Sequence, residues 1–204
     1  MKHFVAALAS LLLITGVACR EKAGQPATET TDTAASASET STQAMTDTST
    51  TASTGGTVAN MTPDDKQFVS EAGMGGMAEV QMGNLAVQKA SSEDVRQFGQ
   101  RMVTDHSKAN AELSQMATAK GLALPTELGG DHKSALEHLS SLTGAEFDKA
   151  YMEHMVSDHQ KDTAEFEKAS QSAQDADIKA WAAKTLPTLQ EHLRLAQTVQ
   201  AKVR

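Results

Sequence analysis

The stretch Met102-Val103-Thr104-Asp105-His106 returns almost unchanged as Met155-Val156-Ser157-Asp158-His159. The two copies keep an offset of 53 residues (159 minus 106), and the offset still holds where Ala111-Glu112-Leu113 corresponds to Ala164-Glu165-Phe166. Around both copies the apolar residues recur at steps of three and four, the spacing that places side chains on one face of an α-helix. The repeat therefore predicts two related helices, each with an acid-histidine pair near its middle.

The composition of the chain favours helices over sheets. Its apolar residues are mostly alanine, leucine, valine and methionine, with five Phe, one Trp and one Tyr among 204 residues. Such residues suit helices better than strands. The formal net charge is -8, and no dense run of Lys or Arg follows the first residues, so the sequence has no obvious means of neutralising nucleic-acid phosphates. We expect an all-α protein with about one ordinary domain and no nucleic-acid partner.

Residues 1–18 have the features of a secretory signal peptide. Lys2 precedes an apolar run from Phe4 to Ile14, and small residues lead up to Cys19. The apolar run is too short to span a bilayer as a permanent helix. We therefore expect an exported protein.

Cys19 is the only cysteine in the chain, which excludes a disulfide within it. Its surroundings resemble a bacterial lipobox, although Gly16 stands where leucine is usual, so we expect Cys19 to carry a lipid. Cleavage after Ala18 by the ordinary signal peptidase, giving a secreted protein, is the alternative. In a lipoprotein, Arg20 after the cysteine would allow transfer to the outer membrane, and the membrane would be the partner on the periplasmic face of the envelope.

Residues 19–60 are rich in Ser, Thr and Ala and have almost no large apolar side chains. Such a segment cannot bury a core, and we predict a disordered tether with a reach of roughly 35 Å. Residues 61–204 then form the folded domain.

Four long helices and one short helix are predicted in that domain. Thr62-Pro63-Asp64-Asp65 is a strong helix start, and Thr143-Gly144-Ala145-Glu146 has the form of a capping box. Pro187 should kink the last helix. The predicted helices run from Pro63 to about Ala90, from a cap at Ser91 or Ser92 to Lys120, from Asp131 to Leu142, from a cap at Thr143 to about Gln171, and from Asp175 to about Val203.

Three glycines in the first helix, Gly73, Gly75 and Gly76, weaken it by roughly 1 kcal/mol each. A close approach of another helix, or a local bend, explains the cluster better than helix propensity does.

A second repeat relates the first long helix to the third. Phe68, Glu79 and Gln88-Lys89-Ala90-Ser91 match Phe147, Asp158 and Glu167-Lys168-Ala169-Ser170 at an offset of 79 (147 minus 68). The domain is thus predicted to be a four-helix bundle of two helical hairpins joined by a crossover, the arrangement of ferritin-like bundles.

The repeated motif, the segment Gly144-Ala145-Glu146-Phe147-Asp148-Lys149-Ala150-Tyr151 and the ending Leu186-Pro187 to Glu191-His192-Leu193 resemble the bacterial domain of unknown function 4142 family. The resemblance covers most of Asp64 to Val199. It implies a ferritin-like helical fold and a predicted outer-membrane location, but no established chemistry.

Polar residues interrupt the apolar faces of all four long helices at similar heights. The central set is one carboxylate and three imidazoles, suitable ligands for zinc, iron, manganese or copper. The 79-residue repeat favours Asp158 rather than His159 for the centre of the third long helix. The candidate metal residues are Glu79, His106, His159 and His192, with Asp105, Asp158 and Glu191 beside them.

No histidine in the chain follows a glutamate at i+3, the Glu-x-x-His pattern of di-iron bundles. Adjacent Asp and His side chains on a helix point about 100° apart, so only one of each pair can be central. We therefore expect a single ion, with the neighbouring acids orienting the ligands.

Two other interpretations remain open at this stage. The acid-histidine pairs can simply satisfy one another and fix helix register, in a structural module without any ligand. A partner-binding or stress-protective role in the envelope is also compatible with the sequence.

The remaining signals are weaker. The histidines of the crossover, His132 and His138, are expected to be solvated. The many methionines suit cuprous copper but more commonly fill gaps in a core poor in aromatic residues. The sequence has no nucleophile elbow, phosphate loop or Cys-x-x-Cys, so we do not expect a conventional enzyme.

Overall fold

The computed structural model describes residues 61–204. Every predicted helix is present, with ends that differ from the prediction by no more than the usual uncertainty at helix termini. The all-α class is therefore confirmed. The signal peptide, Cys19 and the tether fall on residues 1–60, outside the described part of the chain, and stay predictions. The helices are α1 (Pro63–Lys89), α2 (Glu93–Ala119), α3 (Gly130–Ser141), α4 (Gly144–Ser172) and α5 (Ala176–Val203).

The long helices form two hairpins, α1 with α2 and α4 with α5. Ala90, which follows α1, pairs with Gly144 at the start of α4, so α4 begins at the end of the bundle where α1 finishes. Lys120, which follows α2, contacts Asp175 at the start of α5 at the other end. Helices α2 and α4 therefore run in the same direction, and the segment with α3 crosses the length of the bundle. The predicted pair of hairpins with a crossover is confirmed.

Helix α1 begins with the predicted cap. The backbone N–H of Asp65 donates to the Thr62 hydroxyl at 3.1 Å, and the backbone N–H of Thr62 donates to the Asp65 carboxylate at 3.3 Å. The carboxylate of Asp65 also accepts from the backbone N–H groups of Gln174 and Asp175. One side chain thus caps α1 and ties it to the turn between α4 and α5.

The predicted capping box at the start of α4 is wrong. The Thr143 side chain makes no cap hydrogen bond, and Gly144 has a left-handed φ of 64° that directs the chain into the helix differently. Asp148 in the first turn of α4 instead accepts from the backbone N–H groups of Ser91 at 3.1 Å and Ser92 at 2.8 Å. It therefore caps α2, whose own Ser92 side chain does not.

The glycine cluster of α1 is only partly explained by close packing. A Cβ atom on Gly76 would lie 2.0 Å from Oδ1 of Asn110, but one on Gly75 would meet nothing within 4 Å. A close backbone contact between helices lies elsewhere, between Gly83 of α1 and Gly99 of α2. A Cβ on either glycine would lie 2.8 or 2.9 Å from the carbonyl oxygen of the other.

Pro187 lies inside α5, which continues as helix to Val203.

Apolar side chains form two clusters in the bundle. The upper cluster, near the start of α4, includes Met82, Phe98, Met102, Phe147, Tyr151, Met155, Ala196 and Val199. The lower cluster, near the start of α5, includes Val69, Leu113, Phe166, Ala169, Ile178, Trp181 and Leu189.

Candidate metal centre

Each long helix carries buried polar side chains near the boundary between the upper and lower apolar clusters, and α4 carries two of them, Asp158 and His159. Burial of such groups costs free energy unless they are paired. The four predicted central residues are therefore brought together in one polar layer within an apolar core. They are Glu79 of α1, His106 of α2, His159 of α4 and His192 of α5, exposed by 2%, 5%, 0% and 0%.

Glu79 holds the ring of His106 by a short hydrogen bond. Nδ1 of His106 lies 2.7 Å from Oε2 of Glu79. Burial alone would raise the pKa of Glu79, but His106 and His159 outweigh it and lower the pKa to about 2. The carboxylate is therefore ionised and accepts, and Nδ1 of His106 is the donor. The close approach of α1 and α2 at Gly83 and Gly99, one turn beyond Glu79 on α1, allows this contact.

His159 is oriented by its own helix. Its Nδ1 donates to the carbonyl oxygen of Met155 at 3.0 Å, because a carbonyl oxygen can only accept. Burial lowers the pKa of His159 despite the nearby negative charge of Glu79, so the ring is held neutral. The neutral tautomer leaves Nε2 with a lone pair and no hydrogen. This atom lies 3.3 Å from Oε1 of Glu79, which also has no hydrogen to donate.

His192 is oriented from the neighbouring helix α2. Its Nε2 lies 2.8 Å from Oδ2 of Asp105. Burial opposes ionisation of Asp105, but the hydrogen bond from His192 outweighs it and lowers the pKa of that carboxyl. Burial, with the neighbouring His106 and His159, lowers the pKa of His192 to about 4. His192 is therefore neutral near pH 7, and its Nδ1 carries the lone pair.

In each of the three histidines one ring nitrogen is engaged and the other is free. The free atoms, Nε2 of His106, Nε2 of His159 and Nδ1 of His192, are buried and have no hydrogen-bond partner. One nitrogen from each ring lies within 4.8 Å of one nitrogen from both others. An unsatisfied buried polar atom costs about 1–3 kcal/mol, so three in one place call for an explanation. Three imidazole rings gathered in this way form a donor set that suits a transition-metal ion.

Two of the predicted acids lie away from this set. Glu191 pairs with Arg194 at 2.7 Å on the bundle surface, because its position beside His192 points it outward. The expectation that Asp158 rather than His159 takes the centre of this helix is wrong. His159 contacts Glu79, whereas Asp158 is directed towards His154, 3.9 Å away. A shared offset of 79 residues did not imply a shared orientation.

No sequence motif singled out Asp162. One donor atom each from Glu79, His159 and Asp162 lie within 4.8 Å of one another. The available signal was its spacing, since Asp162 is three residues after His159 and four after Asp158, on the same side of α4.

The other predicted residues have ordinary positions. On α3, His138 is exposed and His132 is half-buried. Four of the methionines, Met82, Met102, Met152 and Met155, belong to the upper apolar cluster. Among residues 61–204, no helix is both long and apolar enough to cross a membrane.

Comparison with known proteins identifies related families. A family model described as "Domain of unknown function (DUF4142)" matches residues 48–199. No curated protein matches the chain. The described architecture is similar to the crystal structure of a DUF305 fragment from Deinococcus radiodurans, with a TM-score of 0.62 at 14% identity, over 70% of this chain and 98% of that one.

A second similar structure is a DUF305 protein from Streptomyces coelicolor that is designated a predicted secreted protein. Its TM-score is 0.59 at 13% identity, over 69% of this chain and 93% of that one. At such identities the likeness shows the fold alone. The likeness to ferritins therefore stays a prediction.

Proposed function

Since this chain belongs to the DUF4142 family, whose description assigns no activity, we propose a function from the geometry of the site. The domain binds one divalent transition-metal ion between His106, His159 and His192. The observation that carries this proposal is the state of the three rings. Each ring engages one nitrogen and leaves the other buried without a partner, and one nitrogen of each ring lies within 4.8 Å of one nitrogen of both others.

The partners of the engaged nitrogens support the same conclusion. Histidines that bind metals almost always donate the other ring N–H to a carboxylate or a backbone carbonyl, which fixes the tautomer and the ring orientation. Here the acceptors are Glu79 for His106, the carbonyl oxygen of Met155 for His159, and Asp105 for His192. A site built only for packing does not need this arrangement on all three rings.

Glu79 is the fourth group of the proposed site. Its Oε2 accepts from His106, while its Oε1 is buried without a hydrogen-bond partner, 3.3 Å from the free nitrogen of His159. An ionised carboxylate oxygen and an imidazole lone pair repel one another unless a cation lies between them. Three imidazoles and a carboxylate suit zinc, and iron, manganese and copper accept the same ligand types.

Binding should release protons. Burial would lower the pKa of His106, but the charge of Glu79 outweighs it and raises the pKa, so the empty site holds a proton on this ring more readily than a free histidine does. A metal ion has to displace that proton. Affinity should therefore fall as the pH decreases through the pKa of His106.

The alternative is a structural module in which the acid-histidine pairs only pack the bundle. The observation in its favour is that two of the three rings already have an acid partner, Glu79 for His106 and Asp105 for His192. A packing module without a metal ion, however, leaves one buried nitrogen of each of the three histidine rings without a hydrogen-bond partner.

Metal titration distinguishes the two functions. Untagged protein stripped with chelator is titrated with Zn²⁺, and bound metal and melting temperature are measured. We expect one ion per chain and a rise of about 10 °C at a hundredfold excess over Kd. His192→Ala should weaken binding strongly, and His138→Ala, an exposed histidine of α3, should leave it unchanged. No bound metal and no thermal shift with zinc, iron, manganese or copper would establish the packing module.

We also propose that the domain is exported and held at the envelope by a lipid on Cys19. The support is the signal-like sequence of residues 1–18 and the designation of the Streptomyces coelicolor neighbour as a predicted secreted protein. Membrane fractionation tests it. The native protein should fractionate with membranes and a Cys19→Ser variant should not, and a Cys19→Ser variant that stays with membranes would contradict lipid anchoring.

A further inference from the structure

A second set of donors lies beside the three histidines. We call His106, His159 and His192 the inner set, and Glu79, His159 and Asp162 the outer set. In the outer set too, one donor atom from each residue lies within 4.8 Å of the others. Two of its members, Glu79 and His159, are almost completely buried and have a donor atom without a hydrogen-bond partner.

The two sets cannot be filled together through His159. Its Nδ1 is occupied by the carbonyl oxygen of Met155, so only Nε2 is free, and one lone pair binds one ion. The sets are therefore two alternative positions for a single ion.

The positions differ in their access to solvent. The inner set is 0–5% exposed, so a hydrated ion cannot reach it directly. Asp162 is partly exposed and is the outermost member of the outer set. An ion that arrives at Asp162 can already contact Glu79, which accepts a hydrogen bond from His106, and His159, which belongs to both sets.

The charge around Asp162 favours an incoming cation. The carboxyl groups of Glu79, Asp158 and Glu165 all lie near Asp162. None of the ion pairs found within residues 61–204 involves Asp162, although the nearby Lys161 partly offsets the negative charge. Asp158, one turn earlier on α4, has a buried carboxylate oxygen without a partner. A carboxylate-lined approach of this kind raises the association rate of cations.

We propose that Glu79, His159 and Asp162 form a loading position, at which a divalent metal ion binds first before it passes to His106 and His192. This inference rests on the proposed function. During the transfer the ion exchanges the Asp162 carboxylate for the free nitrogens of His106 and His192, while Glu79 and His159 stay in contact with it. No bond other than those to the ion is made or broken, and the only other change is loss of bound protons to solvent.

The test separates the rate of loading from the final affinity. Chelator-stripped protein is mixed with Zn²⁺ in a stopped-flow instrument, and the equilibrium Kd is measured by competition with a chromophoric chelator. Asp162→Asn should load about tenfold more slowly than the native protein, with a Kd within about threefold. The amide should fold, because asparagine has nearly the shape of aspartate and no ion pair found within residues 61–204 involves Asp162.

Glu167→Gln is the matched control, since it makes the same change in net charge on an exposed part of α4. It should load at the native rate. His192→Ala should still bind zinc weakly through the outer set, and adding Asp162→Asn should abolish that residual binding.

Three results would overturn the loading position: an unchanged loading rate in Asp162→Asn, the loss of equilibrium binding in that variant, or two ions bound per native chain. If the native protein binds no ion at all, the proposed function itself fails.

Discussion

Asp105 of α2 accepts a hydrogen bond at 2.8 Å from His192 of α5, although its neighbour in the sequence is His106. Adjacent helical residues point about 100° apart, so an acid cannot orient the histidine beside it. It orients a histidine on the next helix instead. The Asp-His motif of α2 thus serves two rings, providing His106 as one donor and fixing His192 as another.

If the domain binds a metal ion as proposed, removal of the Asp105 carboxylate should weaken that binding. Asp105→Ala frees the His192 ring to rotate, and we expect a loss of about 10- to 100-fold in zinc affinity with one ion still bound. Chelator competition measures it. Glu191→Ala is the control, because Glu191 pairs with Arg194 away from the site. Equal affinities in the two variants would show that Asp105 does not orient a ligand.

The stability of the metal-free protein should fall in acid partly because of His192. Burial lowers the pKa of this ring to about 4, from its ordinary 6.5. Between these values the unfolded chain binds a proton here and the folded chain does not. The contribution of the neutral His192 ring to the free energy of unfolding is therefore fully present above about pH 6.5. It is lost as the pH falls towards 4, and the loss reaches up to about 3 kcal/mol.

Urea denaturation between pH 4 and 7.5, with chelator present, measures this dependence. His192→Gln should reduce the loss of unfolding free energy on acidification, whereas His138→Gln, on the exposed surface of α3, should not. A native pH dependence retained in His192→Gln would mean that His192 is not the group that titrates.

The contact between Gly83 and Gly99 should be intolerant of a methyl group. A Cβ on Gly99 would lie 2.6 Å from Cβ of Ala86 and 2.9 Å from the carbonyl oxygen of Gly83. Gly99→Ala should therefore separate α1 from α2 and cost about 1–3 kcal/mol of unfolding free energy. Gly75→Ala meets nothing within 4 Å and should stabilise the protein by up to about 1 kcal/mol. Thermal melts compare the stabilities of the two variants. Equal stability of Gly99→Ala and Gly75→Ala would contradict the close approach of α1 and α2 at Gly83 and Gly99.

Lys120 joins the end of α2 to the start of α5 in the interior. It is 4% exposed, and its Nζ lies 2.8 Å from Asp175 and 2.7 Å from Asp177. Lys120→Ala removes the cation beside the buried Asp175 carboxylate, which keeps two backbone hydrogen bonds, and should cost about 1–3 kcal/mol. Lys184→Ala breaks a surface pair with Glu112 and should cost less than about 1 kcal/mol. Denaturant unfolding compares them, and a small effect at Lys120 would show that Asp175 is satisfied by its contacts with the backbone of α5.

Much of the fold was accessible from the sequence because its signals are local. Steps of three and four between apolar residues, the cap at Thr62 and the turn around Gly121 depend only on nearby positions. The same periodicity marked Glu79, His106 and His192 as polar interruptions of buried faces. The resemblance to the domain of unknown function 4142 family is also confirmed.

Local signals failed wherever the partner of a side chain lies on another element. Thr143 has the residues of a capping box, yet Asp148 caps α2 across the hairpins. Gly75 and Gly76 were the conspicuous glycines, yet the close contact with the backbone of the neighbouring helix lies at Gly83. In both cases the decisive contact joins two helices that are distant in sequence.

The sequence by itself determined that this chain forms a helical bundle with polar residues on the buried faces of its long helices at mid-height, because burial recurs with the period of the helix. Only the tertiary structure decided that His159 rather than Asp158 faces Glu79, that Asp162 lies beside them, and which nitrogen of each ring is free. These outcomes depend on the rotation of each helix about its axis and on the acceptor that the neighbouring helix presents. The exact rotation of each helix and the acceptor beside each ring are set by packing between helices, and the spacing of apolar residues in the sequence does not specify them.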